Sequence, residues 1–511
     1  MFRSNCHFAA STLLLSLLTA CSGGDTPVQP PPVQTPTASI ALGAATGTVL
    51  AGNSTTIAVT VTRGGGFAGA VTLGVTGAPA GVTVSAQTVA AGATTAALNV
   101  VTTTAAVPGT TTLTVAGTGT GVTIASQTVA LTVTAPTLPI AQIGSDVTSG
   151  EINFGGAIAL SSDGSRMVVG ARESANGTTR VYQRTGNAWT QLGVDIIGEA
   201  TGDFAGSSVA INAGGTRIAI GAWLNNGNGL TFTGHVRMYD LVGSTWTQVG
   251  SDIDGQGAGA GSGWRVALSG SGSRLIVGAN NRLGGGSARV FDFVGTTWTQ
   301  VGATLSGGGQ FGDAVDVSTD GTTIAVSQPF SATSGLVNVY RLSGGAWVQT
   351  GNTLTGLSSA NEAFGDAISL TANGSRIAVS APFSREGVPS GDPRFAGQVR
   401  VFDLVGSTWT QVGSNVNGTA VVGTRASDQL GETLMLSDDG TRFAAAVSLN
   451  SEARVYTLTS GAWVQTGATI TVEPGLSIRS EGLALSPDGR TVAVGYVNGT
   501  PRRVRVFSIT P

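Results

Sequence analysis

Side chains that could carry chemistry are few in this chain. Among its 511 residues there are 25 basic groups, all of them Arg, with 28 acidic groups, 2 His and 2 Cys. A chain without Lys has no Schiff-base or lysine-nucleophile route. His7 falls in the N-terminal segment ahead of an apolar run, which leaves His235 as the one imidazole available to a globular domain. A lone His with no partner in the sequence reads as a surface residue rather than a base or a ligand. Cys6 and Cys21 both lie at the N-terminus, so zinc and copper lack a ligand set, and no metal and no cofactor is expected. Paired carboxylates are the one acid–base system the composition permits, drawn from Glu199, Asp203, Asp252, Asp254, Glu362 and Asp366. These stand in loops, where solvated charge is the ordinary outcome, and the chain is expected not to be an enzyme. A net charge of −3 without a basic cluster excludes a nucleic-acid partner.

The elements that must position any site are strands. From Leu138 to Pro511 a unit of roughly fifty residues recurs, a period that means a propeller or solenoid. One unit reads as four strands, for instance Phe311 to Val317, Thr322 to Ser327, Leu336 to Tyr340 and a fourth beginning at Trp347. Turns between first and second strands fall at Asp163-Gly164, Gly214-Gly215, Ser271-Gly272, Asp320-Gly321, Asn373-Gly374, Asp439-Gly440 and Asp488-Gly489, residues that tolerate the positive φ of tight hairpins. Seven turns imply seven units. Fourth strands that follow their own unit number only six, opening at Trp189, Trp246, Trp298, Trp347, Trp409 and Trp463, and the chain stops after Arg505 to Ile509, a third strand. The missing strand is Ala141 to Val147, within a displaced copy of the same phrase at Ile140 to Val147. An N-terminal strand that completes the last sheet closes a ring and removes both open edges. The expected fold is all-β: a seven-bladed β-propeller of four-stranded blades closed by an N-terminal strand and preceded by an Ig-like β-sandwich.

The Phe-Gly pairs at Phe154, Phe311 and Phe364, the Gly-Ala endings at Gly170, Gly221 and Gly278, and the Trp-Thr-Gln strands resemble the FG-GAP repeat family, relatives of the integrin α propeller. Units two, three, six and seven depart from the Phe-Gly pair at Ala205, Ser262, Leu430 and Ser480. Integrin-type calcium loops are not carried over, because Asp252-Ile253-Asp254-Gly255 is only a fragment of one. Arg180, Arg237, Arg289, Arg400, Arg454 and Arg505 share one register of the third strand, with Asn338 in unit four. A residue repeated in six units is structural, its stem packed between blades and its head paired or stacked.

Four segments result: a signal peptide over 1–20, a lipidated Cys and Pro-rich stalk over 21–37, the sandwich over 38–134 and the propeller over 138–511. Arg3 and the apolar run Phe8 to Leu18 form an export signal too short to span a membrane. Leu18-Thr19-Ala20-Cys21 resembles the lipobox of bacterial lipoproteins, which implies lipidation of Cys21, and Ser22 after it implies the outer membrane. The segment from Ala38 to Thr134 alternates short strands with Gly and Pro turns and resembles bacterial Ig-like modules; a spacer role follows from its lack of charge.

In an up-and-down blade, second-to-third and blade-to-blade loops share one face. Those loops are long and irregular at Trp223 to Gly234, Pro382 to Gly397 and Asn415 to Leu430. Variable loops on a rigid scaffold carry binding, which makes Trp223, Asn225, Asn226, Phe383, Arg385, Asp392 and Arg394 the candidate binding-face residues. The functional expectation is a bacterial extracytoplasmic, lipid-anchored binding or adhesion protein, monomeric, that engages a protein or glycan through this face and touches membrane only through its lipid. The alternatives are a polysaccharide-acting propeller enzyme, which lacks the Ser-x-Asp-x-Gly-x-x-Trp boxes of sialidase-like propellers, or a periplasmic envelope-assembly scaffold.

Overall fold

The computed structural model describes residues 34–509 except 104–105, 135–139, 228, 282–284, 332–333, 358–361, 387, 389–394, 420–427, 448–450, 472–477, 479–480 and 498–499. Cys21, Asp392 and Arg394 lie outside the described residues. Among those described there is no helix, and none long and apolar enough to cross a membrane.

Residues 37–134 form two sheets. One has the order Thr37–Leu42, Ser54–Gly64, Thr95–Thr102, Val82–Val84; the other runs Thr46–Leu50, Gln127–Thr134, Gly109–Gly119, Val71–Thr76, Gln87–Val89. Alternation does the work here: along Ser54–Gly64 the side chains Ile57, Val59 and Val61 are buried while their neighbours face out. They meet Leu98, Val100, Leu113, Val115, Leu131 and Val133 in one core. Arg63 is stacked on Phe67 at 5.9 Å and donates to the carbonyls of Gly69 (3.1 Å) and Ala90 (3.2 Å), so this charge is structural.

Residues 140–509 form seven further sheets of one pattern, an all-β arrangement of the β-propeller type. In the first, Ala157–Leu160, Arg166–Ala171, Thr178–Thr185 and Ala188–Gln191 pair antiparallel in chain order, and Ile196–Ile197 pairs with the third strand as well. The expected fourth strand is therefore broken in two. The break is the glycine of the Trp-Thr-Gln-x-Gly phrase, Gly193 at φ 83°, and the phrase carries its own brace. Gln191 Nε2 donates to Gly193 O (3.3 Å) and to Asp195 Oδ1 (2.9 Å), two residues beyond the kink. The same Gln reaches the side chain four residues on in every sheet, from Gln142 to Asp146 (2.8 Å) through Gln465 to Thr469 (3.0 Å).

Sheets join through the same phrase. Trp246 Nε1 donates to Leu192 O (3.0 Å), and Trp298, Trp347, Trp409 and Trp463 repeat this onto Val249, Val301, Thr350 and Val412. Nearer the axis, backbones touch: a Cβ at Gly170 would sit 2.1 Å from Gly206 O, so the Gly-Ala endings exist because the next sheet leaves no room for a side chain. A second set of arginines locks the turns. Arg217, for example, clasps Asp240 by two bonds (2.6 and 2.7 Å) and donates to Gly272 O of the next unit's hairpin (2.9 Å).

The cycle closes. Ile140–Gln142 and Val147–Ser149 both pair with Arg502–Ile509, the last third strand, where Ile140 meets Ile509 and Ser149 meets Arg502. Ile143 and Val147 from this latch join Val504 and Val506 of the last sheet and Met167 and Val169 of the first in one cluster. Around the axis the first-to-second turns are strung into a loop of backbone bonds: Ser162 N to Ala213 O, Ala213 N to Gly270 O, Gly270 N to Thr319 O, Asp320 N to Ala372 O, Ala372 N to Asp438 O, Asp438 N to Pro487 O and Asp488 N to Ser162 O, all 2.8–3.1 Å. In the fourth and last units the donor is the following residue, Asp320 or Asp488; Pro487 has no N–H to give.

Candidate active site on the ring axis

The inner strands surround a cavity of about 220 Å³ on the axis. Its apolar wall comes from residues such as Ile158, Val209, Leu268, Ile368 and Leu434, and polar groups gather at its two ends. In the sequence of each unit the residue after the repeat glycine, or after Ser480 in the last unit, is Gly156, Ser207, Trp264, Asp313, Asp366, Glu432 or Glu481. Four consecutive units thus supply a carboxyl at one level, on the face of the long loops. In the third and sixth sheets the pairing slips at this point, between Ser262 and Arg265 and between Leu430 and Leu434. Such a slip re-aims a side chain, and here it spans Trp264 and Glu432.

Arg265 is the cation of this cluster. Its Nε lies 2.8 Å from Glu481 Oε1 and its guanidinium stands 5.2 Å over the Trp264 ring. Asp313 is buried and accepts from Asn280 Nδ2 at 2.7 Å. Burial pushes Asp366 up to about 8, helped by repulsion from Asp313 and Glu432 and opposed by Arg265. Asp366 and Glu481 are partly exposed toward the cavity, so water within it offsets part of the loss of solvation. Glu481 is raised to about 7, because burial outweighs the attraction of Arg265 and a hydrogen bond from Ser208. The cavity is thus lined by two carboxyls whose pKa values are raised toward neutral pH, the range that general acid–base catalysis uses.

The other end is braced rather than open. Asp316 accepts from the backbone N–H of Leu370 (2.7 Å) and Val317 (2.8 Å), and burial still lifts it to about 7. Thr319 donates to Asp438 Oδ1 across the axis at 2.7 Å, inside the loop of turn bonds.

Of the carboxylates singled out from sequence, only Asp366 reaches the axis. Glu362 is buried against Arg400 at 3.0 Å, and Asp203 is buried as a brace for Ala200 N (3.0 Å) and Asn225 (2.9 Å); both are structural. Glu199 and Asp252 meet around His235 instead. His235 is 2% exposed, which corrects the surface reading: it begins the third strand of unit two and points inward between blades. Arg265, Asp313, Glu432 and Glu481 were not singled out, although the position after the repeat glycine was readable and turns acidic in four successive units.

The proposed binding-face residues divide. Trp223 is half-buried, edge-on to Trp264 (5.0 Å) and Phe204 (6.1 Å), which brings it beside the axial mouth. Asn225 is buried and holds Asp203, so it is not available to a ligand on the surface. Asn226 is exposed and accepts from Phe232 N at 2.8 Å. Phe383 packs on Phe395 at 5.4 Å, and Arg385 is exposed with its guanidinium 5.3 Å over the same ring.

No protein-family model and no curated protein matches the chain. Solved structures do match in shape. A periplasmic gluconolactonase from Pseudomonas aeruginosa is 14% identical, with 70% of this chain and 88% of that one covered and a TM-score of 0.44. An oligogalacturonate lyase from Vibrio parahaemolyticus is 8% identical over 73% and 94%, with a TM-score of 0.44. TolB from Acinetobacter baumannii is 13% identical over 69% and 64%, with a TM-score of 0.33. The integrin-like resemblance read from the repeats has no counterpart among them. The expectation that the chain is not an enzyme is corrected: structures of a lactonase and a lyase stand among these neighbours, and the chain's own axial cavity is lined by carboxyls that the sequence reading did not assemble.

Proposed function

We propose that the chain is an exported propeller enzyme that performs acid–base chemistry on a carbohydrate at the long-loop mouth of its axis. The observation that carries this reading is the pair Asp366 and Glu481 on the axial cavity, both lifted toward neutral pH with Arg265 between their surroundings. Asp366, protonated at neutral pH, is the general acid. Glu481 is the base, and Arg265 holds it and stabilises negative charge that develops on the substrate. The aromatic wall of Trp223 and Trp264 offers ring faces to a sugar, and Phe383, Asn226 and Arg385 lie on loops of the same face. At about 220 Å³ the cavity is smaller than the roughly 300–1,000 Å³ of drug-sized sites, which suits one sugar unit or the end of a chain.

In this reading the chain is a lipoprotein held at Cys21, with the two-sheet unit as an Ig-like spacer and the ring as seven blades closed by the latch. The test is turnover. Purified protein is incubated with a panel of neutral and acidic polysaccharides, oligosaccharides and sugar lactones, and products are followed by reducing ends, ultraviolet absorbance and acid release. Asp366→Asn and Glu481→Gln should each lower the rate by about 10²–10⁴. Activity that survives both substitutions, or none on any substrate class, defeats the reading.

A further inference from the structure

We propose that Glu199, His235 and Asp252 form a binding site for one divalent transition-metal ion, apart from the axis. The repeat supplies an internal comparison. In unit one the third-strand arginine, Arg180, grips Asp195 through Nε (2.8 Å) and Nη2 (2.7 Å), and also touches Ser149 Oγ (2.8 Å) and Glu151 (3.5 Å). In the last unit Arg505 Nε donates to both carboxylate oxygens of Asp146 (3.1 and 3.2 Å). Unit two has the same three residue types in place, Arg237, Asp252 and Glu199, but the clamp is undone. Arg237 donates to Ile197 O (3.0 Å) and stays 3.8 Å from Glu199. Into the space comes His235, where unit one has Thr178.

His235 is buried. Nδ1 points at Asp252 Oδ2 (3.5 Å) and Glu199 Oε2 (3.8 Å). Those separations exceed a good hydrogen bond. They are near the edges of a coordination polyhedron, since bonds of about 2.0–2.2 Å hold neighbouring ligand atoms roughly 3–3.5 Å apart. One atom from each residue falls within 4.8 Å of the others. Outer contacts aim the carboxylates: Gln248 Nε2 donates to Asp252 Oδ1 (2.6 Å), and Asn225 Nδ2 reaches Glu199 Oε2 (3.4 Å). One imidazole nitrogen and two carboxylates suit Zn²⁺, Co²⁺ or Mn²⁺ better than the all-oxygen sets of Ca²⁺ or Mg²⁺. Glu199 lies on the exposed side, which leaves coordination positions open to water.

The experiment titrates chelator-stripped, tag-free mature chain with ZnCl₂ and CoCl₂, by calorimetry and by the visible spectrum of bound Co²⁺. Wild type should take one ion per chain with micromolar or tighter affinity and develop Co²⁺ bands. His235→Gln and Asp252→Asn should each weaken binding at least tenfold, while Asp195→Asn in unit one leaves it unchanged. Glu199→Gln, at an exposed side chain, decides the matter if either of the other two variants does not fold, and is also expected to weaken binding. Absence of saturable binding by wild type, or an affinity unchanged in the folded variants, overturns the proposal.

Discussion

Replacing Asp366 with Asn should stabilise the ring, by an amount that grows as pH rises above about 4. An Asp in an unfolded chain titrates near 3.9, as a rough reference value, whereas the ring holds this carboxyl at about 8. Between those values the unfolded state binds fewer protons than the folded one, so stability falls as pH rises, by up to about 1.4 kcal/mol per unit. The penalty is absent below about pH 4 and complete above the folded pKa. The full interval sets a ceiling of about 6 kcal/mol, large beside a typical total of about 5–15 kcal/mol. Water entering the cavity and the nearby Arg265 reduce it, and a gain of about 2 kcal/mol or more is expected for the variant at pH 8.5. Asn keeps the shape and has no charge to bury, so near pH 4.5 variant and wild type should match. All 8 Trp lie in the ring, and urea unfolding followed by tryptophan fluorescence at pH 4.5, 7 and 8.5 reads the ring alone. A gain equal at every pH, or a loss at pH 8.5, refutes the reasoning, because the carboxyl would then be ionised in the folded ring at no cost.

Trp409→Ala should cost about 3–5 kcal/mol, as it opens a buried cavity and strands Thr350 O, its hydrogen-bond acceptor at 3.0 Å; denaturant midpoints check this. Gly351→Ala should also destabilise measurably, since its φ is +76° and a Cβ would meet the Trp409 ring at 2.6 Å. In the latch, Asp146 feels burial, which would raise its pKa, but hydrogen bonds from Arg505 and Gln142 prevail and hold it below the usual carboxylate range. Its stabilisation is present above the unfolded pKa and lost as pH falls through the lower folded value, so Asp146→Asn should cost about 1–2 kcal/mol at pH 7 and progressively less in acid. For the membrane anchor, Cys21→Ser should move the protein from the membrane pellet to the soluble fraction of fractionated cells.

Much of the ring was legible because its cause is local. The hairpin glycines at 164, 215, 272, 321, 374, 440 and 489 all take positive φ, as their turns require. The displaced phrase at Ile140 pairs with the last strand, as the count of strands demanded. The arginines of the third strand proved paired or stacked, for example Arg400 over Phe364 at 4.2 Å. What repetition left unread was the difference between units. His235 reads as a surface residue from sequence because nothing beside it in the chain is a partner. The carboxylates it faces lie 36 residues before it, in the loop leading into its own unit, and 17 residues after it, in the break between the two outer strands of the same sheet.

The sequence by itself determined strand periodicity, turn positions, the number of repeats and the need for a closing strand, since each depends on neighbours within one unit. Only the tertiary structure decided which side chains converge on the axis. Asp366 and Glu481 stand 115 positions apart and Arg265 a further 101 before Asp366, and what lifts the two carboxyls is enclosure by all the sheets together. Desolvation is a property of the closed ring: no segment possesses it alone, so no reading of segments could have supplied it.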